Sequence, residues 1–376
     1  MKKRVLIIHP ALAPYRIDLF NSLSDKSELF LVILRDNLIA QEFNQAELKK
    51  QLHCDWRLIL TGFGFKAYVF RFGLLKLIVE FKPDIVITSE FNVQTIQLAL
   101  IKDSFLLRHD FKFLTLIDDS PEVAAKPRKI KKVVMGYCLS KLDGLLLGSD
   151  KVKQIYSDLH QFPAKRIAIC PVLQSHTSIR QKAARSLPDA LAFANEYQLY
   201  KKKLVLFVGR LSKEKNIPLL LNSFANTADA GTRLIIIGDG KTKRELAHLV
   251  QELGVGDRVI FAGRHEDSKL YAWYLLGQLL ILPSLFERFG AVVNEALAVG
   301  IPVLVSEVAG AASLISRPEE GETFSPYNQQ ELEIKMKKWL SRISALSREN
   351  IRLKPCLQTT SLDDTTTELI RFFENL

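Results

Sequence analysis

Two cations stand where an apolar run of the sequence gives way to a helical pattern. Arg210 and Lys215 follow the run Leu204–Val208 and lie five residues apart. Arginine presents a planar fork of donors and lysine a compact positive charge, so the two together suit a diphosphate. A solvated basic loop is the alternative interpretation of the same residues.

Two glutamates flank a glycine further along the chain. Glu287 and Glu295 lie eight residues apart, and a helical pattern begins near Gly290. Glu295 falls in the second turn of that helix, where its carboxylate can accept hydrogen bonds from a vicinal diol such as a ribose. Glu287 precedes the helix and can reach a sugar. The first N–H groups of the helix, at Phe289, Gly290 and Ala291, can bind an anion. The alternative is a helix-terminal charge and a solvent-facing glutamate.

Glycines follow the apolar runs and allow a ligand to approach the backbone closely. Gly209 comes directly after the first run described above, and Gly238 follows Leu234–Ile237. Arg264 stands behind a further glycine after Val259–Phe261, in a loop that suits either a nucleobase or solvent.

Charged residues also follow apolar runs in the first half of the chain. Asp118 and Asp119 come after Phe113–Ile117, and Arg16 lies in the loop after Val5–His9. A carboxylate in this position can accept a hydrogen bond from a hydroxyl group of a substrate. Capping of the next helix is the alternative for the aspartates, and a helix-surface cation is the alternative for Arg16.

A framework of parallel strands positions these groups. The apolar runs are short, β-branched and nearly continuous, which is typical of strands covered on both faces. Their alternation with amphipathic stretches predicts doubly wound α/β units. The predicted strands are 5–9, 29–34, 85–89, 113–117, 144–147, 167–169, 204–208, 234–237, 259–261, 279–282 and 303–305. The predicted helices are 15–23, 74–81, 93–101, 217–226, 242–253, 267–276, 291–299 and a last one near the C-terminus.

The chain is long enough for two such units. It has 376 residues, and a domain typically has roughly 100–200. The polar stretch 174–203 separates two strand–helix series and is the predicted boundary region. Two Rossmann-like domains would then face each other across a cleft, with ligands at the carboxyl ends of the strands.

The second half resembles the donor domain of family 4 retaining glycosyltransferases, which have the GT-B fold. The resemblance lies in "LFVGRLSKEKNIPLLLNSF", "LIIIGDG", "VIFAGR" and "LPSLFERFGAVVNEALAVGIPVLVSEVAG", between residues 206 and 310. These segments occur in the family's order and include its E-x7-E signature at Glu287 and Glu295. The resemblance implies an acceptor-binding domain at 1–180, completed by a C-terminal helix at 360–376, and a donor-binding domain at 200–358.

The resemblance also implies roles for the residues. Arg210 and Lys215 would hold the donor's diphosphate and Glu287 its sugar, while Asp118 or Asp119 stands where many members carry a catalytic histidine. The other implied substrate contacts are Gly209, Gly238, Arg264, Phe289, Gly290, Ala291, Glu295 and Arg16.

The implied reaction moves a sugar from a UDP- or GDP-sugar to a hydroxyl of a saccharide acceptor, with retained configuration, in cell-surface polysaccharide biosynthesis. The sequence has no Asp-x-Asp metal signature. Cations and helix N-termini can supply the same electrostatic stabilisation, so we expect no metal and no cofactor. The alternatives are a nucleotide-sugar epimerase or hydrolase of the same fold, and a non-catalytic partner subunit.

The net charge of +11 is uneven, because residues 1–200 carry 29 Lys and Arg against 20 Asp and Glu. The segment 126–141 has six cations among apolar residues, and 62–81 is rich in phenylalanine with Lys66, Arg71 and Lys76. Such segments suit an anionic membrane surface. A solvated helix over the core is the alternative. We expect a lipid-linked saccharide acceptor, and no nucleic acid because no recognised binding motif accompanies the charge.

The four cysteines are scattered without a CxxC pair, which favours reduced thiols in the cytoplasm. The short apolar run near the N-terminus predicts a buried strand rather than a signal peptide. We therefore expect a cytoplasmic protein attached peripherally to the inner face of the cytoplasmic membrane.

Overall fold

The protein divides into two compact units. The computed structural model describes residues 2–37, 43–65, 68–104, 109–127 and 129–376. Lys66 and Arg128, two cations of the predicted membrane surface, lie outside the described residues. One unit extends to Gln174 and also contains Ser361–Leu376, and the other is Ser175–Thr360.

Strands and helices alternate along most of the described chain. The strands are β1 Arg4–His9, β2 Glu28–Ile33, β3 Asp55–Leu58, β4 Gly62–Phe65, β5 Tyr68–Arg71, β6 Ile85–Ser89, β7 Lys112–Ile117, β8 Gly144–Leu147, β9 Ile167–Ile169, β10 Lys203–Val208, β11 Thr232–Ile237, β12 Val259–Gly263, β13 Leu279–Leu282, β14 Val303–Ser306 and β15 Gly321–Phe324. The helices are α1 Pro14–Lys26, α2 Gln45–Lys50, α3 Leu74–Phe81, α4 Val93–Lys102, α5 Pro121–Ala125, α6 Lys129–Leu139, α7 Asp150–Asp158, α8 His176–Arg185, α9 Leu187–Glu196, α10 Ile217–Thr227, α11 Lys243–Glu252, α12 Asp267–Leu276, α13 Ala291–Val299, α14 Gln329–Leu340 and α15 Leu362–Glu374. In these described ranges, no helix is both long enough and apolar enough to cross a bilayer.

In the first unit, the described strands form a parallel sheet in the order β3-β2-β1-β6-β7-β8-β9. The chain moves outward from β1 to β3 on one side and from β6 to β9 on the other. The strand order therefore reverses between β1 and β6, and in such sheets ligands bind at the carboxyl ends of the strands at this point.

In the second unit, the described strands form a parallel sheet in the order β12-β11-β10-β13-β14-β15. Its reversal lies between β10 and β13. Leu204–Val208 and Leu279–Leu282 are buried, because helices cover both faces of these central strands. The fold class is therefore α/β, as the alternating pattern of the sequence predicts.

The predicted strands and helices agree with these elements to within a few residues. The structure adds β3, β4, β5 and β15, which are short and lie at a sheet edge or outside the main sheets. It also places two helices, α8 and α9, inside the predicted boundary stretch. Both pack on α12, so this polar stretch is part of the second unit rather than an extended linker.

The C-terminal helix α15 packs against α1 in the first unit. Its buried residues Leu369 and Phe373 face inward, which is the pattern of an amphipathic helix. Two polar contacts fix its position: the Ser22 and Thr366 hydroxyls lie 2.7 Å apart, and Lys26 Nζ donates to Asp363 Oδ1 over 2.7 Å.

Truncation of the helix's buried anchor should destabilise the first unit. Phe373 is 1% exposed, so Phe373→Ala should lower the free energy of unfolding by about 3–5 kcal/mol through lost burial and a cavity. Urea unfolding followed by circular dichroism measures this. Arg371→Ala, at an exposed position two residues earlier, is the control and should change stability by less than about 0.5 kcal/mol. Equal effects of the two variants would contradict the packing of α15.

Candidate active site

The loops after β10 and β13 meet at the strand-order reversal of the second unit. The first loop contains Arg210 and Lys215, and the second contains Glu287. The backbone N–H of Leu285 donates to the carbonyl oxygen of Glu214 over 2.8 Å. The fold thus brings together residues that are about 70 positions apart in the sequence.

An ion pair between Lys215 and Glu287 lies where these loops meet. The Lys215 ammonium donates to Glu287 Oε2, and the two side chains are 15% and 16% exposed. The same ammonium lies next to Gly209, where an added Cβ atom would be 3.8 Å from Nζ. A half-buried ammonium beside side-chain-free backbone is suited to an anionic group, because weaker hydration strengthens the charge–charge attraction.

Close glycine contacts keep side chains away from this edge of the sheet. Gly238 has a φ of +146°, and a Cβ atom there would lie 1.9 Å from the carbonyl oxygen of Gly209. The Gly238 N–H donates to the Gly263 carbonyl over 2.7 Å. The strand ends of β10, β11 and β12 are therefore joined through backbone, which only glycine permits at position 238.

Helix α13 begins beside the ion pair. Gly290 caps it with a φ of +100°, and a Cβ atom there would lie 3.3 Å from Glu287 Cγ and 2.8 Å from Leu282 Cδ2. The buried Phe289 anchors the approach to the helix, and its carbonyl oxygen accepts from the Ala311 N–H over 2.7 Å. The first N–H groups of a helix have no partner within it, so this terminus can bind an anion.

Glu295 is oriented by a tyrosine that the sequence gives no reason to select. Tyr274 is fully buried on α12, and its hydroxyl donates to Glu295 Oε2 over 2.7 Å. Burial, and then the negative charge of Glu295, raise the pKa of Tyr274 well above its ordinary value. The phenol therefore stays a donor, and it fixes one carboxylate oxygen of the half-buried Glu295.

The two arginines of the predicted donor site differ in position. Arg210 is exposed near Glu214, whose pKa is lowered mainly by the Ser212 hydroxyl and its own backbone N–H, with smaller contributions from Arg210 and Lys215. Arg264 is exposed and its Nε donates to Glu266 over 3.0 Å. Because β12 is two strands away from β10, the structure does not place Arg264 beside the Lys215–Glu287 pair.

In the first unit, Arg16 and Asp118 form a buried ion pair at the ends of β1 and β7. Arg16 is 1% exposed and one of its terminal nitrogens donates to both carboxylate oxygens of Asp118, which is 25% exposed. Arg16 lies inside the unit rather than on a helix surface. Its Nε and second terminal nitrogen have no partner in the described structure.

Asp119 has different surroundings from its neighbour. It is 4% exposed and accepts from Lys131 Nζ over 2.6 and 2.8 Å and from the Tyr156 hydroxyl over 3.0 Å. Glu90 Oε1 accepts from the Asp118 backbone N–H over 3.2 Å, and its Oε2 lies 3.8 Å from Lys131. Asp118 is thus the accessible carboxylate, and Asp119 is held inside by Lys131 and Tyr156.

Glu90 and Lys131 are further charged residues of this cluster that the motif analysis does not identify. Glu90 stands in no recognisable motif. Lys131 is one of the six cations of 126–141 predicted for a membrane surface, but its ammonium instead lies against Asp119 and Glu90. The only sequence signal for Glu90 is its position directly after β6, at the reversal of the strand order.

A histidine beside Arg16 should make stability depend on pH. His9 is buried, its Nδ1–H donates to the Ala11 carbonyl over 2.8 Å, and burial followed by the charge of Arg16 lowers its pKa to about 4. Between pH 6.5 and 4 the unfolded chain binds a proton that the folded chain does not. The free energy of unfolding should therefore fall over this range by about 3 kcal/mol from this group alone.

Urea unfolding at a series of pH values measures the effect. His9→Gln should remove that part of the pH dependence, whereas His248→Gln, at an exposed position, should keep the wild-type slope. Identical slopes in wild type and His9→Gln would show that His9 is protonated in the folded protein as readily as in the unfolded one.

Comparisons with known proteins agree with this arrangement. Residues 192–351 match the profile of the family described as Glycosyl transferases group 1. An uncharacterised glycosyltransferase of Methanocaldococcus jannaschii is 25% identical over 264 residues, which cover 68% of this chain and 63% of that protein. Alpha-monoglucosyldiacylglycerol synthase of Streptococcus pneumoniae is 26% identical over 270 residues, which cover 66% of this chain and 59% of the relative. The chain thus spans less than two thirds of the length of each of these two relatives.

A solved structure shows the same fold. The crystal structure of Alr3699/HepE from Anabaena in complex with UDP has a TM-score of 0.75 and 17% identity, covering 99% of this chain and 100% of that one. The matched profile includes the Lys215–Glu287 pair, the start of α13 and Glu295. Residues 192–351 therefore match the group 1 glycosyltransferases, and the chain has the GT-B fold of two Rossmann-like domains.

Proposed function

We propose that this protein transfers a glycosyl group from a nucleotide sugar to a hydroxyl group of a saccharide acceptor, with retention of anomeric configuration. The observation that carries the proposal is the half-buried Lys215–Glu287 pair beside the N-terminus of α13, at the strand-order reversal of the second unit. The cation and the helix terminus can bind a diphosphate, and the carboxylate beside them can accept hydrogen bonds from the attached sugar.

Each group has a distinct task in this proposal. Lys215 and Arg210 bind the diphosphate, and the N–H groups at the start of α13 bind a phosphate oxygen. Glu287, released from Lys215 when phosphate takes its place, accepts hydrogen bonds from sugar hydroxyls. Glu295, fixed by Tyr274, accepts hydrogen bonds from the ribose.

The reaction breaks the bond between the anomeric carbon and the diphosphate, and the leaving group takes the bonding electrons. Negative charge therefore grows on the diphosphate in the transition state, where Lys215, Arg210 and the α13 terminus stabilise it. The acceptor oxygen bonds to the anomeric carbon on the same face, and its proton passes to the departing phosphate. These fixed positive groups are the reason that we propose transfer without a metal ion or cofactor.

The donor's nucleotide is proposed to be UDP, with GDP as the alternative. The complex of the Anabaena protein with UDP supports this choice. Arg264, at the end of β12, is the proposed contact with the base.

The first unit is proposed to bind the acceptor. Asp118 is the accessible carboxylate of that unit and is held by Arg16, so it is positioned to accept a hydrogen bond from the acceptor hydroxyl. We propose a lipid-linked saccharide acceptor in bacterial cell-surface polysaccharide synthesis, with the protein attached peripherally to the cytoplasmic face of the membrane. The relative named alpha-monoglucosyldiacylglycerol synthase supports a lipid-linked acceptor.

Removal of the pair or of the neighbouring arginine should abolish transfer without unfolding the protein. Lys215→Ala, Glu287→Ala and Arg210→Ala should each lower kcat/KM for sugar transfer by about 10²–10³-fold, because each removes a group that stabilises the transition state. Transfer from radiolabelled nucleotide sugar to extracted lipid acceptors measures the loss. Lys213→Ala, an exposed lysine of the same loop, is the control and should keep wild-type transfer. Full activity of Lys215→Ala would refute the diphosphate assignment.

Neutralisation of Glu295 should weaken nucleotide binding. Glu295→Gln loses the charge that strengthens hydrogen bonds to the ribose, so the Kd for UDP should rise by about tenfold, equivalent to roughly 1.4 kcal/mol. Isothermal titration calorimetry measures it, and Glu252→Gln on the exposed part of α11 is the matched control. If the wild type binds GDP and not UDP, the proposed base is wrong. If it binds neither and transfers nothing, a non-catalytic partner subunit is the better description.

A further inference from the structure

The hairpin formed by β4 and β5 exposes phenylalanine. Phe63 and Phe70 are directly paired across its two strands, and Phe72 follows on the same face two residues later. Their exposed fractions are 78%, 41% and 61%. Within the described residues these two strands pair only with each other, outside the seven-stranded sheet. The hairpin therefore projects three aromatic side chains from a small, separate element.

The opposite face of the hairpin buries an arginine. Arg71 is 8% exposed; its Nη2 donates to the Leu34 carbonyl over 2.6 Å, and its Nη1 donates to the Leu60 carbonyl. The usual alternation of a half-exposed hairpin places apolar side chains inward and charges outward. Here the alternation is reversed, and burying a charge costs free energy. The outward phenylalanines therefore need a reason other than stability.

Hydrogen bonds from side chains of helix α4 fix the orientation of the hairpin. Gln97 accepts from the Arg71 N–H over 3.0 Å and donates to the Arg71 carbonyl over 2.7 Å, and Gln94 donates to the Val69 carbonyl over 2.6 Å. These bonds satisfy the outer backbone edge of β5. The phenylalanine face is thus a fixed feature of the folded unit.

Cations and a further exposed apolar residue lie on two helices near the hairpin. Helix α3 starts two residues after Phe72 and carries Lys76, which is 78% exposed and lies 3.7 Å from Glu80 of the same helix. Helix α6, which packs on α4, exposes Lys129, Lys132 and Val133, and Val133 is 75% exposed. The segment 126–141 has no acidic residue. Exposed aromatic rings, together with exposed lysines on neighbouring helices, match the apolar boundary and the negative headgroups of an anionic bilayer.

We propose that the β4–β5 hairpin inserts Phe63, Phe70 and Phe72 into the interface of an anionic membrane, while the lysines of α3 and α6 contact lipid phosphates. This deepens the proposed function, because it assigns the membrane partner to a defined element of the acceptor-binding unit. The hairpin then fixes which face of that unit is turned toward a lipid-linked acceptor.

Vesicle binding tests this inference. The full chain is mixed with vesicles of phosphatidylcholine and phosphatidylglycerol in equal parts, and the partition coefficient is measured by co-sedimentation. Phe63→Ser with Phe72→Ser should lower it by about tenfold or more, because two inserted rings are lost. Ile334→Ser, which removes a 68% exposed apolar side chain of α14, is the matched control and should bind as wild type.

The contribution of the lysines is tested separately. Lys129→Glu with Lys132→Glu should abolish the preference for these anionic vesicles over vesicles of pure phosphatidylcholine, whereas Lys337→Glu should not.

Insertion itself is measured with tryptophan at position 63. The emission of Phe63→Trp should shift to the blue on vesicles and be quenched by brominated lipid, while Ile334→Trp should show neither change.

Wild-type binding by the double serine variant would overturn the proposal. So would a dimer in size-exclusion chromatography with light scattering that this variant converts to a monomer, because a second copy would then cover the face. Vesicle binding needs no donor, so loss of transfer with intact binding counts against the proposed reaction alone.

Discussion

The contact between the loops that follow β10 and β13 is the constraint on which the candidate site of the second unit depends. These strands are neighbours only because the strand order reverses between them. The reversal places Lys215 and Glu287 in contact although 72 residues separate them. Gly238 lies close to Gly209, and Gly290 has a left-handed backbone. No side chain therefore covers the backbone at these positions. A bulkier residue at either glycine would displace the loops, so the pair, the helix terminus and the strand order form one arrangement.

Charge is distributed differently inside and outside the first unit. At its strand ends, Arg16 and Lys131 face three carboxylates, Asp118, Asp119 and Glu90, so the cluster carries no surplus of positive charge. The excess of nine cations in residues 1–200 therefore lies outside this cluster, and the exposed Lys126, Lys129 and Lys132 contribute to it. Salt screens the charge of these exposed lysines beyond about 8–10 Å at physiological ionic strength. Their charge therefore acts on a partner at the protein surface, such as an extended anionic one, rather than on a buried ligand. The balanced charge of the cluster agrees with the proposed neutral saccharide hydroxyl, and the exposed lysines agree with the proposed lipid phosphates.

The sequence predicts the central strands and the donor motif, because both are local signals. Continuous apolar runs mark β1, β6, β10 and β13, and the spacing of Glu287 and Glu295 reflects one helix start. It does not predict Tyr274, Glu90 or Lys131, since their roles come from partners 12 to 41 residues away. Tyr274 lies in an apolar run where nothing distinguishes it from core residues. The hairpin is missed because its alternation is reversed, and β15 is missed because Gly321–Phe324 is only half apolar.

Arg71 and Glu90, two residues of the first unit, depart from the local rules of backbone conformation and burial. Arg71 is buried against the carbonyl oxygens of Leu34 and Leu60, and burial lowers its pKa. Glu90 adopts a left-handed backbone with a φ of +65°, which is unfavourable for a residue with a side chain. Each arrangement persists because surrounding hydrogen bonds determine it, through Gln97 in one case and the Asp118 N–H in the other. Backbone and burial costs of this kind are found where a side chain has a task at a surface or a site. The conformations of Arg71 and Glu90 therefore depend on tertiary hydrogen bonds, which a local sequence pattern does not contain.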